Sequence, residues 1–165
     1  MSLLLRPLAV LLVLAASALT LRAADTPQPY AVGDAFTGFS TRDQHDKPFT
    51  YTAGDARLVI VSFVMGTGKA ANAFFEKQPA DFLAQHRALF IANIHGMPGI
   101  ARTFALPKMR KYPHRILLAD AENFLARYPQ QPDRLTVLTL DGAGKIIAIR
   151  FIDPKSELAA LFAAK

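Results

Sequence analysis

The 165-residue sequence contains no cysteine. This absence excludes disulfide bonds, iron–sulfur clusters held by thiolates, zinc sites built only from cysteine, and every reaction that needs a cysteine nucleophile. The stability of the fold must then come from its core. Hydrophobic residues make up 52% of the sequence, with 12 phenylalanines among them, so a core of sufficient size is available.

The sequence also lacks an apolar run long enough to cross a membrane comfortably. Its first apolar run, from Pro7 to Leu19, follows Arg6 and ends among small residues. This layout is typical of a secretory signal, and the run is shorter than the roughly 20 residues that a membrane-spanning helix needs. We therefore expect residues 1–24 to be a signal peptide and residues 25–165 to form one domain, without a transmembrane segment once the signal is removed. The expected location is the periplasm or the exterior of the cell.

Charge of one sign is only in modest excess. The formal net charge is +6, and removal of residues 1–24 takes away two arginines and no acid. Cleavage after Ala18 and cleavage near Ala24 both fit the small residues there. A mildly basic protein attracts anionic partners weakly and lacks the dense basic stripe of a nucleic-acid binder. We expect no nucleic-acid partner, and a small anionic ligand or an acidic protein as the partner class.

The hydrophobic pattern predicts strands that alternate with helices. Short apolar runs predict a β-hairpin and five further strands, over residues 36–40 with 48–51, 57–64, 88–94, 116–119, 135–140 and 145–152. Helical spacing predicts helices over residues 70–87, 100–106 and 156–164, and a short helix before residue 135. Pro79 should kink or split the first helix. This order implies an α/β fold with a mixed five-stranded sheet, helices on both faces and an N-terminal β-hairpin.

Three turn motifs carry a family resemblance. The opening at residues 32–36, the turn at 43–48 and the turn at 140–146, taken in this order of elements, resemble thioredoxin-like proteins of the peroxiredoxin and TlpA type. The strand near Ile116 is more similar to the peroxiredoxin branch. Residues 105–113 are similar to a group of short exported bacterial proteins of undetermined activity. The resemblance implies a thioredoxin-like fold over most of the chain after the signal.

The redox positions of that family are empty in this sequence. In the family, the two cysteines stand five and eight residues after the aromatic residue that ends the central strand. Counting from Phe63 places them at Gly68 and Ala71, and a peroxiredoxin-like Thr-x-x-Cys pattern beginning at Thr67 would place its cysteine at Ala70. The resemblance therefore implies a member without thiol–disulfide or thiol peroxidase activity of its own. Whether the chain is an enzyme by another route stays open, and we assign no catalytic residue.

The segment 66–69 reads Gly-Thr-Gly-Lys between a predicted strand and a predicted helix. Backbone amides and the helix dipole favour anions at such a place. The full phosphate-loop pattern needs glycine at Phe63 and serine or threonine at Ala70, so it fails twice. The simpler interpretation is a tight turn with a solvated lysine, and an anion or carboxylate site is the alternative. The candidate ligand-binding residues are Gly66, Thr67, Gly68, Lys69 and His95.

These residues should lie at one edge of the sheet. The carboxyl ends of parallel strands meet there, so we expect residues 65–71, 95–99 and 131–134 to be neighbours. Met65, His95 and Met97 would then stand close together, and thioether and imidazole ligands suit copper. Thioethers also fill gaps in protein cores. Both interpretations stay open, and copper is the one cofactor that the sequence suggests.

A basic stretch runs from the predicted helix over residues 100–106 to Arg115. Its cationic or potentially cationic residues are Arg102, Lys108, Arg110, Lys111, His114 and Arg115. They fit a docking surface for an acidic partner, or a solvated face whose long stems cover apolar surface. The whole pattern predicts an exported, non-catalytic thioredoxin-like binding or accessory protein. The alternative is a redox-related or copper-binding accessory oxidoreductase that borrows its reactive centre from a metal, a cofactor or a partner's thiol.

Overall fold

The computed structural model describes residues 27–163. The expected signal peptide, residues 1–24, and the end of the last predicted helix lie outside those residues. The described strands are β1 Ser40–Asp43, β2 Pro48–Thr50, β3 Leu58–Ser62, β4 Ala88–Asn93, β5 Leu117–Ala119, β6 Leu135–Leu140 and β7 Ile146–Ile152. The described helices are α1 Met65–Phe75, α2 Phe82–Gln85, α3 Gly99–Met109 and α4 Leu158–Ala163.

The strands form one mixed sheet in the order β2-β1-β5-β4-β3-β6-β7. Strands β3, β4 and β5 run parallel, whereas β6 and β7 are antiparallel to their neighbours. The five-stranded core and the N-terminal hairpin are confirmed. The hairpin is not separate from the core, because β1 pairs with β5 and extends the sheet to seven strands.

The first strand of the hairpin begins later than the sequence suggests, at Ser40 instead of Phe36. The segment before it bonds to the turn between β6 and β7, where the Gly33 amide donates to Ile146 O (2.8 Å) and the Phe36 amide donates to Gly144 O (2.9 Å). Phe36 is 3% exposed. Its burial at that turn takes the segment out of the hairpin.

Two apolar clusters cover the two faces of the sheet. On the first face, side chains from all four helices pack on the sheet residues Ile60, Phe90 and Val137. The second face is covered by Tyr30, Phe36 and Tyr51, together with Tyr128 and other side chains of the segment 121–128. Each face is therefore shielded from water, as the apolar central strands require.

The segment 121–128 is a series of turns where a short helix was expected. Its amides bond three residues back, from Phe124 to Ala121 O (3.1 Å) and from Tyr128 to Leu125 O (3.0 Å). Pro129 follows directly, and a proline disfavours the helical conformation of the residue before it, here Tyr128. The second face is consequently covered by turns and aromatic side chains.

The helices of the described residues are short. None of them is long and apolar enough to cross a membrane. Pro79 lies between α1 and α2, so the expected split of the long helix is confirmed.

Candidate functional site

Helix α1 begins at the end of the central strand β3, at Met65 and not at residue 70. Val64 precedes it in an extended conformation, with φ −127° and ψ 155°. The Thr67 hydroxyl donates to Val64 O (3.0 Å), and Ser62 Oγ lies 2.9 Å from Thr67 Oγ1. These buried hydroxyls fasten the first helical turn to the strand. Gly66 therefore belongs to a helix, and the tight turn expected from the glycines is wrong.

Because α1 starts early, both positions at which the family pattern has cysteine, Gly68 and Ala71, lie within the helix. Reactive thiolates are favoured at exposed helix N-termini. Gly68 is the fourth residue of α1 and Ala71 the seventh, and Ala71 is fully buried. A Cβ atom added at Gly68 would lie 3.1 Å from Ser62 Oγ, which is tighter than ordinary van der Waals contact. This edge of the sheet has no thiol, and at Gly68 it also has little room for one.

A cleft of about 380 Å³ opens between α1 and α3. We call it the α1–α3 cleft. Val64 and Met65 form part of its rim, and both are exposed. Phe104, which is 73% exposed, stands on the α3 side, while Ile94 lies in the floor. The cleft is apolar in its walls and in most of its floor.

Two lysines line the cleft, Lys69 from α1 and Lys108 from α3. Both side chains are exposed, and neither forms an ion pair within the described residues. The described residues that line the cleft include no aspartate and no glutamate. The cleft therefore combines apolar walls with an unbalanced positive charge.

Polar side chains of the cleft floor are held by hydrogen bonds to neighbouring residues. The Asn93 amide donates to Phe63 O (3.3 Å), and Asn93 Oδ1 accepts from the His95 amide (3.1 Å). Asn72 Oδ1 accepts from His114 Nε2 at 2.9 Å. The floor is consequently a set of fixed neutral dipoles.

The sequence suggested that His114 belongs to a basic surface. In the structure it is instead a buried neutral residue. Its side chain is 1% exposed and packs against the rings of Phe75 (5.2 Å) and Tyr112 (5.5 Å). Burial lowers the pKa of His114 to about 4. Its Nδ1 atom is buried and has no hydrogen-bond partner among the described residues.

The rest of the predicted basic stretch is divided between separate contacts. Arg102 pairs with Asp120 (2.6 Å), and Arg115 lies 3.4 Å from Asp43. Arg110 donates through Nε to Gln44 O (2.9 Å). These arginines contact the residue after β5, the end of β1 and the turn that follows β1, so the stretch is not one free cationic face.

A second pocket, of about 360 Å³, lies on the other flank of α1. We call it the charged pocket. Its lining residues are Gly66, Thr67, Ala70, Asp133, Arg134, Asp153, Pro154 and Lys155. The structure thus brings the segment 131–134 to Gly66 and Thr67, as expected, but places Gly68 and Lys69 in the α1–α3 cleft. Four of the five candidate ligand-binding residues are thus divided between two pockets, and His95 lines neither.

The structure brings together two of the three candidate copper ligands. Met65 and Met97 both line the α1–α3 cleft, and so does Met109, which the sequence did not single out. His95 does not line it, and its Nδ1 atom lies 2.9 Å from Asp120 O. Among residues 27–163 no group of three histidine, aspartate or glutamate side chains is placed to hold a metal ion. Copper binding stays a prediction.

Sequence reasoning also missed Phe104 and Asn72 as parts of the site. A signal for Phe104 was present, because Ile100 and Phe104 are apolar and four apart, a spacing that puts them on one face of a helix. Both are more than 70% exposed. Asn72 gave no signal, since its role depends on a partner 42 residues away.

Comparisons with known proteins found similar structures but no similar sequence. No protein-family model and no curated protein sequence is similar to the chain. A peroxiredoxin-like protein from Aquifex aeolicus is similar in structure, with a TM-score of 0.53 and 10% identity over 83% of this chain and 88% of the other. The thioredoxin domain of a thiol-disulfide oxidoreductase from Bacteroides vulgatus gives a TM-score of 0.52 and 13% identity, over 81% and 98%.

A thio-disulfide isomerase from Thermus thermophilus is also similar, with a TM-score of 0.50 and 20% identity, over 82% of this chain and 97% of the other. At these identities the likeness concerns the fold alone. The mixed sheet, the helix that leaves the end of β3 and these similar structures together identify the chain as a thioredoxin-like fold without cysteine.

Proposed function

We propose that this protein is an exported, non-catalytic binding or accessory protein whose ligand site is the α1–α3 cleft. One observation carries the proposal: the edge of the sheet that has no thiol opens into an apolar cleft with two lysines, and neither lysine forms an ion pair within residues 27–163. Ligand pockets are typically apolar clefts of 300 Å³ or more with a few polar groups that fix orientation. A small anion or an acidic partner matches the charge.

The chemistry of the cleft favours binding over catalysis. The hydroxyl of Ser62 lines the cleft, and it lies within hydrogen-bond distance of Val64 O and of the Thr67 hydroxyl on the other flank of α1. Among the described residues neither hydroxyl is paired with a base. The neutral His114 is bonded to an asparagine amide and not to a nucleophile. General base catalysis needs a base within hydrogen-bond reach of the group that it deprotonates, and these residues do not provide that arrangement.

Binding of an anionic apolar dye, 1-anilinonaphthalene-8-sulfonate, tests the location of the site. Phe104→Asp removes an apolar wall and adds a negative charge, so we expect it to abolish dye binding. Ile147→Asp is the matched control, because Ile147 is 53% exposed and lies outside the cleft. Equal dye binding by the wild type and Phe104→Asp would contradict the proposed site.

Export rests on the signal-like pattern of residues 1–24. We expect the exported protein to begin between Leu19 and Asp25, and its intact mass measures this. A mass that retains residues 1–18 would mean that the segment is an anchor.

A second candidate function is copper binding by an accessory oxidoreductase. Met65, Met97 and Met109 line the same cleft, and thioethers select Cu(I). Anaerobic titration with Cu(I) against a chromophoric chelator tests this. A stoichiometric site that is lost in Met97→Leu would favour this candidate over the binding protein, and no binding would remove it.

A further inference from the structure

The polar groups of the α1–α3 cleft that remain free share one chemical property. Lys69 and Lys108 carry ammonium groups without an ion-pair partner in the described residues. Asn72 is 6% exposed and uses its Oδ1 atom for His114, which leaves its amide nitrogen as the remaining group. Burial, together with the negative charge of Glu76, raises the pKa of Tyr112, so its hydroxyl stays protonated. All four groups donate hydrogen bonds, so the complementary head group is an acceptor with negative charge.

The body of the ligand must be apolar. The floor of the cleft contains Ala92 and Ile94, and its side walls contain Ala101, Phe104 and Ala105. The side-chain amide oxygens in the floor each accept a hydrogen bond already, Asn93 Oδ1 from the His95 amide and Asn72 Oδ1 from His114. A peptide main chain or a sugar in the cleft would leave its own donors unpaired, which is costly in a buried site. A hydrocarbon chain incurs no such cost.

We propose that the ligand of the cleft is a linear acyl carboxylate, with its hydrocarbon chain between α1 and α3 and its carboxylate at Lys69 and Lys108. This inference rests on the proposed function and names the ligand class of the same site. A volume of about 380 Å³ suits a chain of medium length. The carboxylate bonds to the exposed lysines at the mouth, and the chain excludes water from the apolar walls.

Displacement of the dye by hexanoate, octanoate and decanoate, below their micelle concentrations, tests the position of the chain. Each added methylene should tighten binding about fourfold while it finds apolar surface in the cleft. Equal affinities for hexanoate and decanoate would overturn the inference, because the chain would then lie outside the cleft.

Decanol and decyltrimethylammonium, which carry the same chain, test the head group. We expect decanoate to bind most tightly and the cation most weakly. In Lys69→Gln/Lys108→Gln, decanoate binding should weaken about fivefold at low ionic strength while decanol binding is unchanged. Lys77→Gln is the matched control, because Lys77 is exposed and lies outside the cleft. An unchanged preference for decanoate in the double variant would overturn the assignment of the two lysines.

The outcomes separate this inference from the proposed function. If decanoate fails to displace the dye while Phe104→Asp still abolishes dye binding, the acyl carboxylate is wrong and the cleft stands as a binding site. If an acidic peptide displaces the dye and decanoate does not, the ligand is a peptide and the inference is overturned. If Phe104→Asp leaves dye binding unchanged, both proposals fail.

Discussion

Helix α1 separates two pockets of similar size but opposite character. The α1–α3 cleft is apolar, and its two lysines have no acid beside them among the described residues. The charged pocket contains two aspartates together with Arg134 and Lys155, and Arg134 pairs with Glu157 (2.8 Å). Positive charge is therefore balanced on one flank of the helix and unbalanced on the other.

The two flanks also differ in what lies beneath them. Behind the cleft, Asn72 and His114 form a buried neutral hydrogen bond. On the other flank, the ion pair of Arg134 and Glu157 is exposed to water. Burial makes the first contact sensitive to protonation, and exposure makes the second sensitive to salt. The two flanks of one helix therefore differ both in the balance of their charges and in the burial of their polar contacts.

Acid should produce the largest effect, on the cleft flank. In the unfolded chain His114 binds a proton near pH 6.5, whereas in the folded protein its pKa is about 4. The unfolded state therefore binds more protons between these values, so the stability present above pH 6.5 is lost as the pH falls toward 4. The loss from this residue is at most about 3 kcal/mol.

Denaturant unfolding at pH 7 and pH 4.5 measures this loss in the wild type and in His114→Leu. The variant lacks the titrating ring, so its stability should depend less on pH. Identical pH dependence in the two proteins would show that His114 is not protonated on unfolding.

Loss of the Asn72 side chain should produce the next largest effect. Asn72→Ala leaves the His114 Nε2 donor unpaired in a buried site, which costs about 2 kcal/mol of the free energy of unfolding. Denaturant unfolding measures it, with Asn123→Ala as the control at an exposed position. In the His114→Leu background the cost of Asn72→Ala should shrink, since the two residues are in direct contact. An additive double variant would contradict the coupling.

On the charged flank we expect a smaller effect. Arg134→Gln removes an ion pair whose partners are 43% and 49% exposed, so the free energy of unfolding should fall by less than about 1 kcal/mol. Thermal unfolding at low and high salt is the measurement, and the difference from the wild type should narrow as salt screens the pair. A loss that exceeds that of Asn72→Ala would reverse the comparison between the flanks.

Placing cysteines at residues 68 and 71, where the family pattern has them, should produce no gain of thiol–disulfide exchange activity. In Gly68→Cys/Ala71→Cys the second thiol lies at a fully buried position and the first meets Ser62. Thiol–disulfide exchange needs an accessible thiolate. Insulin reduction by the variant should match that of the thiol-free wild type, which should itself match buffer. Turnover well above a heat-inactivated sample would mean that the edge is still shaped for redox chemistry.

Much of the fold was predictable from local pattern. Strand β6 occurs at Leu135–Leu140 as expected, and β4 ends one residue earlier than expected. Both are continuous apolar runs between turn signals, a pattern that favours strands covered on both faces. The start of α1 was not predictable from propensity, because glycine disfavours helices. Contacts of Thr67 with the end of β3 outweigh that preference.

The candidate site was predictable only in part. The position of Lys69 beside Met65 at the edge of the sheet follows from chain order, and the structure places both in the cleft. The separation of Thr67 from Lys69 does not follow from chain order. These residues are two apart on a helix and so face different flanks. Because the segment was interpreted as a turn, the division between two pockets was missed.

The sequence alone determined what this protein lacks and where its central strands run. The absence of cysteine is evident from the sequence. A continuous apolar run such as residues 135–140 favours a strand that is buried on both faces of a sheet. Only the tertiary structure decided which polar side chains are buried and which residues they contact. His114 became neutral because folding buries its ring. Asn72, 42 residues away, accepts the hydrogen bond of its Nε2 atom at 2.9 Å. Lys69 and Lys108 line one cleft because folding placed α1 and α3 on its two sides, and no acid is among the described residues that line it.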